Sequence, residues 1–256
     1  MRIAVCISGQ MRTWKTAAKN QMWFWNTSGQ DVDYFIHTWD YSQDRTGAQQ
    51  EYIERHISED EYNEYIDTYK PVMHSIDSYR QEDMYGNDHW LSLFYSYVKC
   101  LLMKKEYEEK NQFEYDVVIK SRPDLVFNPK VTLRWPPLKN NQIHTTHGGP
   151  MPMEFNMQNF NDIVFLGNSY TMDLTMNIFN YRKYFIHPDS NNIKNIHPLG
   201  PGTLLNEYFK DFGLTPFYDL PFFETIVKMG HPEDVDLFDK EDFNRMEHYF
   251  RQWYHQ

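Results

Sequence analysis

The first forty residues carry the pattern that most limits the possible folds. Ile3–Ile7 is a continuous apolar run that ends at Ser8-Gly9, which is typical of a strand buried on both faces. An apolar stripe at helical spacing follows from Met11 to Trp25, and Asp33–His37 has the pattern of a second strand. A strand, a helix and a strand in this order favour a parallel pair, because parallel strands need a crossover connection. The chain is therefore predicted to open as an α/β fold.

Helical and extended patterns keep alternating further along the chain. We predict the following elements: a helix around residues 50–66, a strand at Val72–Ile76, a helix introduced by Gly86-Asn87-Asp88 and striped by Leu91, Phe94, Val98, Leu101 and Leu102, a strand at Tyr115–Lys120, extended structure at Leu125–Phe127, a strand at Asp162–Leu166, a helix capped by Ser169, a helix from about Gly202 to Phe212 and an edge strand at Thr215–Tyr218. Residues 128–160 are predicted to be mostly irregular loop. No repeat or linker interrupts this order, so we predict a single domain over residues 1–256.

Composition and charge limit the classes of partner. The chain has 25 Lys and Arg against 36 Asp and Glu, a net charge of −11, and no basic run. Neither nucleic acid nor an anionic membrane is therefore an expected partner, because both require a basic surface. The many aromatic residues, which include 19 Tyr and 18 Phe, supply the burial that a disordered chain lacks.

Cysteine usage and hydropathy indicate the compartment. Cys6 and Cys100 both lie in apolar stretches and are predicted to be buried, reduced thiols. The N-terminal apolar run is too short for the core of a signal peptide, and no window approaches the roughly 18 apolar residues of a membrane span. We expect a cytoplasmic protein without a transmembrane segment.

The first candidate site is the turn Ser8-Gly9-Gln10-Met11-Arg12, between the first strand and the first helix. Ligands of open α/β sheets gather outside the carboxyl ends of the strands, and a helix N-terminus there favours phosphate. Arg12 is suited to a bidentate contact with a diphosphate. The alternative is an ordinary tight turn, in which glycine is needed at position 9 only because it can adopt the backbone angles of the turn.

Two more candidates follow strands. His37-Thr38-Trp39-Asp40 ends the second strand, and its alternative reading is a structural histidine. The third candidate is Lys120-Ser121-Arg122-Pro123-Asp124, where a buried strand is interrupted, so the Asp124 carboxylate would be held rigidly near the same cleft. Asp124 suits Mg²⁺ or Mn²⁺, which prefer oxygen ligands, whereas Arg122 would neutralise a diphosphate without a metal ion. The structural alternative is an Arg–Asp pair that stabilises a kinked strand.

The remaining candidates are isolated. Asp162 opens a predicted strand after a long loop, where it would act as a general base toward an acceptor hydroxyl or would only cap the turn. His197 and His231 would each lend a metal ligand or a cleft contact, but no pair of histidines has metal-ligand spacing, so a structural role is the plainer interpretation.

The order and spacing of these motifs resemble a group of glycosyltransferase-like proteins of bacteria and their viruses, similar in layout to the WavE-type lipopolysaccharide-synthesis proteins. The segments that carry the resemblance are Ile3–Arg12, Phe35–Asp40, Tyr115–Leu125 and Asn161–Gly167. The resemblance implies a GT-A-like, Rossmann-type three-layer sandwich with a mostly parallel central sheet. Residues 1–127 would be the nucleotide-binding half, and residues 128–256 the acceptor half with a C-terminal tail.

The resemblance also implies roles for the candidate residues. The donor nucleotide-sugar would be bound by Ser8, Gly9, Gln10, Arg12, His37, Asp40 and Asp124. Asp124 would stand where such enzymes place a metal-binding Asp-X-Asp carboxylate, but Arg122 occupies the place of the first acidic residue. A divalent cation, Mn²⁺ or Mg²⁺, is thus expected only if Asp124, with His231 as a further candidate ligand, suffices to hold it. Pro201 is followed by Gly202, where related sequences often have glutamate.

Together these observations predict an enzyme that moves a sugar from a nucleotide-diphosphate sugar to a glycan or lipopolysaccharide-type acceptor. Asp162 and Arg122 are the predicted catalytic residues. The enzyme is expected in the cytoplasm of a bacterium or of a virus-infected host cell. The rival hypothesis is a catalytically silent protein that binds a nucleotide or a glycan with the same fold. A third hypothesis is transfer of another activated group, such as phosphate. The sequence predicts no oligomeric state.

Overall fold

The structure is a computed structural model that describes residues 1–27, 29–46, 51–78, 89–127, 135–146, 162–181, 200–218, 220 and 224–226. The helices are α1 (Trp14–Asn26), α2 (Glu59–Tyr69), α3 (His89–Asn111), α4 (Ser169–Leu174), followed by a 3-10 turn at Thr175–Asn177, and α5 (Gly200–Asp211). The strands are β1 (Arg2–Ser8), β2 (Asp31–Trp39), β3 (Tyr41–Thr46), β4 (Glu51–His56), β5 (Met73–Asp77), β6 (Val117–Ser121), β7 (Leu125–Phe127), β8 (Gln142–Thr145), β9 (Phe165–Gly167), β10 (Thr215–Phe217) and β11 (Glu224–Ile226).

A seven-stranded sheet in the order β10-β8-β9-β6-β1-β2-β5 forms the centre of the fold. Strand β9 runs antiparallel to its neighbours β6 and β8, and the other pairs of this sheet are parallel. Two antiparallel pairs lie outside it, the hairpin β3–β4 and the pair β7–β11.

The alternation of side chains along β1 assigns the two faces of the sheet. Ile3, Val5 and Ile7 pack on the side of α1 and α2, whereas Ala4 and Cys6 pack on the side of α3. All five side chains are fully buried, as expected for a central strand covered on both faces. The predicted three-layer α/β class with a mostly parallel sheet is confirmed, and it is consistent with the GT-A-like Rossmann-type fold that the resemblance implies.

The strand order contains a topological switch point. From β1 the chain continues to β2 and β5 on one side, and it then returns through α3 to β6 on the other side of β1. The helix α1 that follows β1 and the helix α3 that leads into β6 cover opposite faces of the sheet. Open α/β sheets bind ligands in a crevice at the carboxyl ends of the strands beside such a point. The main candidate residues of the sequence analysis follow these two strand ends.

Several predicted elements differ from the structure. Residues 42–70 contain the hairpin β3–β4 before α2, so the helix predicted around 50–66 begins only at Glu59. Strand β8 lies within the predicted irregular loop, and β9 begins at Phe165 rather than at Asp162. Asn168, not Ser169, caps α4, because its Oδ1 accepts a hydrogen bond from the backbone N–H of Thr171 (2.9 Å).

Two large apolar residues at predicted helix positions are exposed. Leu102 on α3 is 50% exposed, although the other residues of its predicted stripe are buried or partly buried, and Phe212, which directly follows α5, is 43% exposed. Phe212 stacks on Tyr208 at the helix surface (4.3 Å between ring centres). The expected buried thiols are confirmed, since Cys6 and Cys100 are both free and fully buried. Within the described ranges, the helices are too short or too polar to cross a membrane.

A buried cluster of charges joins α3 to α4. The fully buried Lys104 donates hydrogen bonds from Nζ to Glu108 Oε2 (2.9 Å), Ser169 Oγ (2.7 Å) and Asp173 Oδ1 (2.6 Å). Ser169 Oγ in turn donates to Glu108 Oε1 (2.7 Å). Each buried charge therefore has an opposite charge and a hydrogen bond, which is the condition for tolerating ions in the interior.

Candidate functional site

The loop after β1 contains a glycine whose backbone angles other residues rarely adopt. Gly9 has φ of +127°, a conformation that side chains rarely adopt, so another residue would be strained here. Its N–H donates to the carbonyl of His37 at the end of β2 (3.2 Å). A Cβ added at Gly9 would lie 3.7 Å from Cδ of Pro123, which shows how closely this loop approaches the turn after β6.

The turn after β6 carries a closed ion pair. Arg122 donates from Nε to Asp124 Oδ1 (2.9 Å) and from an Nη atom to Asp124 Oδ2 (2.7 Å), so both carboxylate oxygens are engaged by one guanidinium. Asp124 is 1% exposed. Burial alone would raise the pKa of Asp124, but Arg122 and Arg12 lower it by more, so the pKa lies below its ordinary value and the carboxylate is ionised.

Arg12 brings a second guanidinium to the same carboxylate. Its Nη1 lies 3.7 Å from Asp124 Oδ2, and its side chain is 38% exposed. Its Nε donates to Gln10 Oε1 (3.3 Å), which also accepts from the backbone N–H of Gln43 in the hairpin β3–β4 (3.0 Å). The loop after β1, the turn after β6 and the hairpin thus meet around two arginines and one buried carboxylate.

Gln21 of α1 stabilises the turn after β6 through side-chain hydrogen bonds. It is fully buried, and its Nε2 donates to the carbonyls of Arg122 (2.8 Å), Pro123 (3.2 Å) and Leu125 (2.8 Å). Sequence reasoning missed this residue. A signal existed, because Gln21 occupies a position of the apolar stripe between Ala18 and Trp25, where a polar side chain needs a buried partner.

Arg55 of β4 holds the loop after β1. It donates from Nη2 to the carbonyl of Met11 (3.1 Å) and makes a bidentate ion pair with Glu61 of α2 (2.5 and 3.0 Å). Glu61 also accepts from Trp14 Nε1 (3.4 Å). The hairpin and α2 therefore fix the backbone from which Arg12 projects, and nothing in the sequence pattern connects these segments in advance.

His37 belongs to a buried network between β2, β5 and α3. Its Nδ1 lies 2.8 Å from Ser96 Oγ and its Nε2 lies 3.3 Å from Asp77 Oδ2. Burial lowers the pKa of His37 to about 4, although Asp77 opposes the shift. Since the Asp77 carboxylate only accepts hydrogen bonds, the neutral ring carries its proton on Nε2 and Nδ1 is an acceptor. The single hydroxyl proton of Ser96 is within reach of both Nδ1 and the carbonyl of His37 (3.2 Å).

Asp77 is charged in this network. Burial would raise its pKa, but hydrogen bonds from Tyr95 (2.8 Å), His37 and Lys99 (3.2 Å) lower it below the ordinary value. Sequence reasoning did not select Asp77. The available signal was its place directly after the predicted strand Val72–Ile76, the same kind of position that selected Asp40.

Asp162 reaches the same edge of the sheet because β9 is antiparallel. A strand of opposite direction begins where its neighbour β6 ends, so the residues before Phe165 lie near the turn after β6. Lys120, which is buried on β6, donates from Nζ to the carbonyls of Asp162 and Ile163 (2.9 Å to the latter). Burial would lower the pKa of Arg122, but Asp124 and, to a smaller extent, the charge of Asp162 together raise it above its ordinary value.

The other predicted residues have separate positions. Ser8 is buried, with its Oγ 3.5 Å from the carbonyl of Ser121. The backbone of Asp40 bridges two elements, since its N–H donates to the carbonyl of Asp77 (3.0 Å) and its carbonyl accepts from Ile57 (2.8 Å). His197 and His231 lie outside the described residues. The structure thus brings Ser8–Arg12, Arg122, Asp124 and Asp162 to one edge, while the His37 ring faces α3.

The donor set at this edge does not fit a divalent metal ion. Mg²⁺ and Mn²⁺ need carboxylate oxygens that they can reach, whereas the Asp124 carboxylate is buried, pairs with Arg122 through both oxygens and has Arg12 3.7 Å from Oδ2. In the part of the chain that the structure describes, three or more His, Cys, Asp or Glu side chains nowhere come together as a metal site would require. The arrangement is suited instead to an anion, because two guanidiniums face one buried carboxylate at the mouth of a crevice.

Comparison with known proteins finds similar folds among solved glycosyltransferases, but only at low sequence identity. No protein-family model matches the chain, and no curated protein matches it by sequence. The fold is similar to that of a glycosyltransferase involved in the glycosylation of the major capsid of PBCV-1, with 11% identity, a TM-score of 0.40, and coverage of 97% of this chain and 100% of that chain.

A second solved structure is the apo-form glycosyltransferase GlyE of Streptococcus pneumoniae TIGR4. It shares 10% identity with a TM-score of 0.39, and the match covers 84% of this chain and 44% of that chain. The chain therefore spans less than half of the length of GlyE. At these levels we assign no residue of this chain from either enzyme, and the similarity to WavE-type proteins stays a prediction.

Proposed function

We propose that this protein is a glycosyltransferase that moves a sugar from a nucleoside-diphosphate sugar to a glycan or lipopolysaccharide-type acceptor. The observation that carries the proposal is the convergence of Arg12 and Arg122 at the switch point between β1 and β6. Crevices of this kind bind ligands in open α/β sheets. Two arginines in one crevice of a chain with a net charge of −11 favour a small anionic ligand there, and a diphosphate matches the guanidinium geometry.

The chemistry follows from the charges at this edge. An acceptor hydroxyl would attack the anomeric carbon of the donor, the bond from that carbon to the diphosphate oxygen would break, and the diphosphate would keep the electron pair. The arginines would stabilise the charge that develops on this leaving group. For a transfer with inversion, Asp162 would accept the proton of the hydroxyl. His37 is unsuited to this role, because its ring is fully buried and its pKa is lowered to about 4.

A turnover assay tests the proposal. The purified full chain is incubated with a panel of nucleotide-sugars and oligosaccharide acceptors, and released nucleoside diphosphate is measured. We expect acceptor-stimulated release with one donor. The rate is expected to fall by roughly 10²-fold or more in Asp162→Asn, as for loss of a general base, and to persist in the matched control Asp31→Asn. Asp31 is exposed at the start of β2, on the opposite edge. Equal rates in Asp162→Asn and wild type would remove Asp162 as the base.

A catalytically silent binding protein is the second candidate. It is favoured by the closed pair of Arg122 and Asp124, which leaves no acidic pair at the place where the resemblance expects one. Saturable binding of a nucleotide-sugar without any release of nucleoside diphosphate, with every acceptor in the panel, would support this candidate over the enzyme.

A further inference from the structure

The geometry points to a donor site in which arginine, rather than a divalent cation, supplies the positive charge that compensates the diphosphate. We propose that the diphosphate binds to the guanidinium of Arg12, that Asp124 serves as the counter-ion of Arg122, and that binding needs neither Mn²⁺ nor Mg²⁺. This inference rests on the proposed function, because it names how the same site would hold its donor.

The first step concerns Asp124 as a metal ligand. Its oxygens accept from Arg122 at 2.9 and 2.7 Å, and the carboxylate is 1% exposed. Each oxygen has a second lone pair, but the carboxylate is buried beside the guanidiniums of Arg122 and Arg12, so a divalent cation would have to move a positive charge aside to reach it. Arg122, whose side chain is only 17% exposed, would then lose the partner that compensates its charge, which is unfavourable.

The second step concerns the turn that carries the pair. Gln21 fixes the carbonyls of Arg122, Pro123 and Leu125, so the backbone has little freedom to swing Asp124 outward. The charge of Asp162 also acts on Arg122, after the larger contribution of Asp124, so both carboxylates help to compensate the same guanidinium. A divalent cation bound to either carboxylate would therefore be repelled by Arg122.

The third step concerns where an anion can bind. Arg122 is compensated by Asp124, and Arg12 adds a second positive charge 3.7 Å from the same carboxylate. The Arg12 side chain is 38% exposed, whereas that of Arg122 is 17% exposed. Arg12 is thus the more exposed of the two guanidiniums, and a guanidinium that exchanges its present contacts for a diphosphate binds two phosphate oxygens at once without a metal ion.

Calorimetric titration of the full chain with UDP and with GDP tests the inference. Each titration is run in EDTA and again with MnCl₂ or MgCl₂. We expect one of the two nucleotides to bind with the same Kd, within about threefold, in all conditions. Arg12→Gln is expected to weaken binding in EDTA by about tenfold or more, which is the loss of one charge-assisted contact. The matched control is Arg2→Gln, because Arg2 lies over the Phe113 ring at the opposite end of β1.

Asp124→Asn separates the two roles of the carboxylate. Removal of a metal ligand would weaken binding, whereas removal of a counter-ion leaves more positive charge and is expected to tighten binding of the nucleotide in EDTA. Thermal unfolding of each variant shows whether it is folded, and Arg12→Gln still decides the matter if Asp124→Asn does not fold.

The outcomes are distinguishable from those of the proposed function. Binding that appears only with Mn²⁺ or Mg²⁺ overturns this inference and leaves the glycosyltransferase proposal standing. Binding in EDTA that Arg12→Gln and Arg2→Gln weaken equally also overturns it. Failure of UDP and GDP to bind under any condition overturns the donor site itself, and both proposals fall together.

Discussion

At the scale of single residues, His37 makes the clearest prediction for pH. Its pKa is about 4 in the folded protein against 6.5 in the unfolded chain, so between these values the unfolded state binds the extra proton. Stability therefore falls as the pH falls from 6.5 to about 4, by about 3 kcal/mol for a shift of this size. Urea unfolding from pH 7 to pH 4 is expected to show this loss, and His37→Gln should flatten it.

An independent measurement checks the same residue. The imidazole resonances of the protein, assigned by comparison with His37→Gln, are expected to include one that titrates far below the ordinary range of histidine. A His37 resonance that titrates near pH 6.5 would contradict the buried, neutral ring. Asp77 acts in the same direction at lower pH, because its depressed pKa contributes stability that is lost as the carboxylate protonates.

At the scale of secondary-structure elements, α1 supports the turn after β6 through Gln21. We expect Gln21→Met to lower the free energy of unfolding by about 1–3 kcal/mol, because the substitution leaves buried carbonyls of the turn without their donor. Urea unfolding measures the loss. Lys19→Met is the matched control, since Lys19 is exposed on the same helix. Equal losses in the two variants would show that the helix as a whole, rather than the amide of Gln21, was affected.

The strands of the sheet were largely predictable, because β1, β2 and β6 are apolar runs that end in polar residues. The sequence did not predict the hairpin β3–β4 or the strand β8, and both omissions have the same cause. The hairpin β3–β4 is polar on both strands and β8 spans only Gln142–Thr145, so neither shows the alternation that identifies a strand. Tertiary pairing forms these strands, and a local pattern does not report it.

The candidate site divides in the same way. Gly9, Arg12, Arg122 and Asp124 were found because each follows a strand along the chain, and parallel strands bring their carboxyl ends to one edge. Arg55 could not be found, since it reaches the loop after β1 from a hairpin whose place depends on packing against α2. The pairing of Arg122 with Asp124 agrees with the structural interpretation of this turn, because a sequence pattern does not show whether two neighbouring charges bind each other or a ligand.

At the scale of the whole molecule, the two cysteines report on the stability of the sheet. Cys6 lies in the central strand β1 and Cys100 in the helix α3 that covers it, and both are fully buried. Burial raises the pKa of Cys6 to about 12 and that of Cys100 well above its ordinary value, so the reactive thiolate is scarce. We expect neither thiol to react with iodoacetamide until the domain unfolds.

Mass spectrometry after timed alkylation measures this reaction. Two labels per chain are expected in urea, because the sequence has 2 cysteines. In native buffer the labelling rate is expected to follow global unfolding and to rise in the Gln21→Met variant. Rapid labelling of Cys100 alone would contradict the packing of α3 on β1 and would indicate local opening of that helix.

The buried cluster around Lys104 has an evolutionary consequence. A sequence that loses one of Lys104, Glu108 or Asp173 keeps the others as ions in an interior that no longer compensates them, at a cost of several kcal/mol. Replacement of the whole cluster by apolar residues of similar volume is far less costly. Among sequences that retain the packing of α3 on α4, these three positions should therefore covary as one unit, either all charged or all apolar.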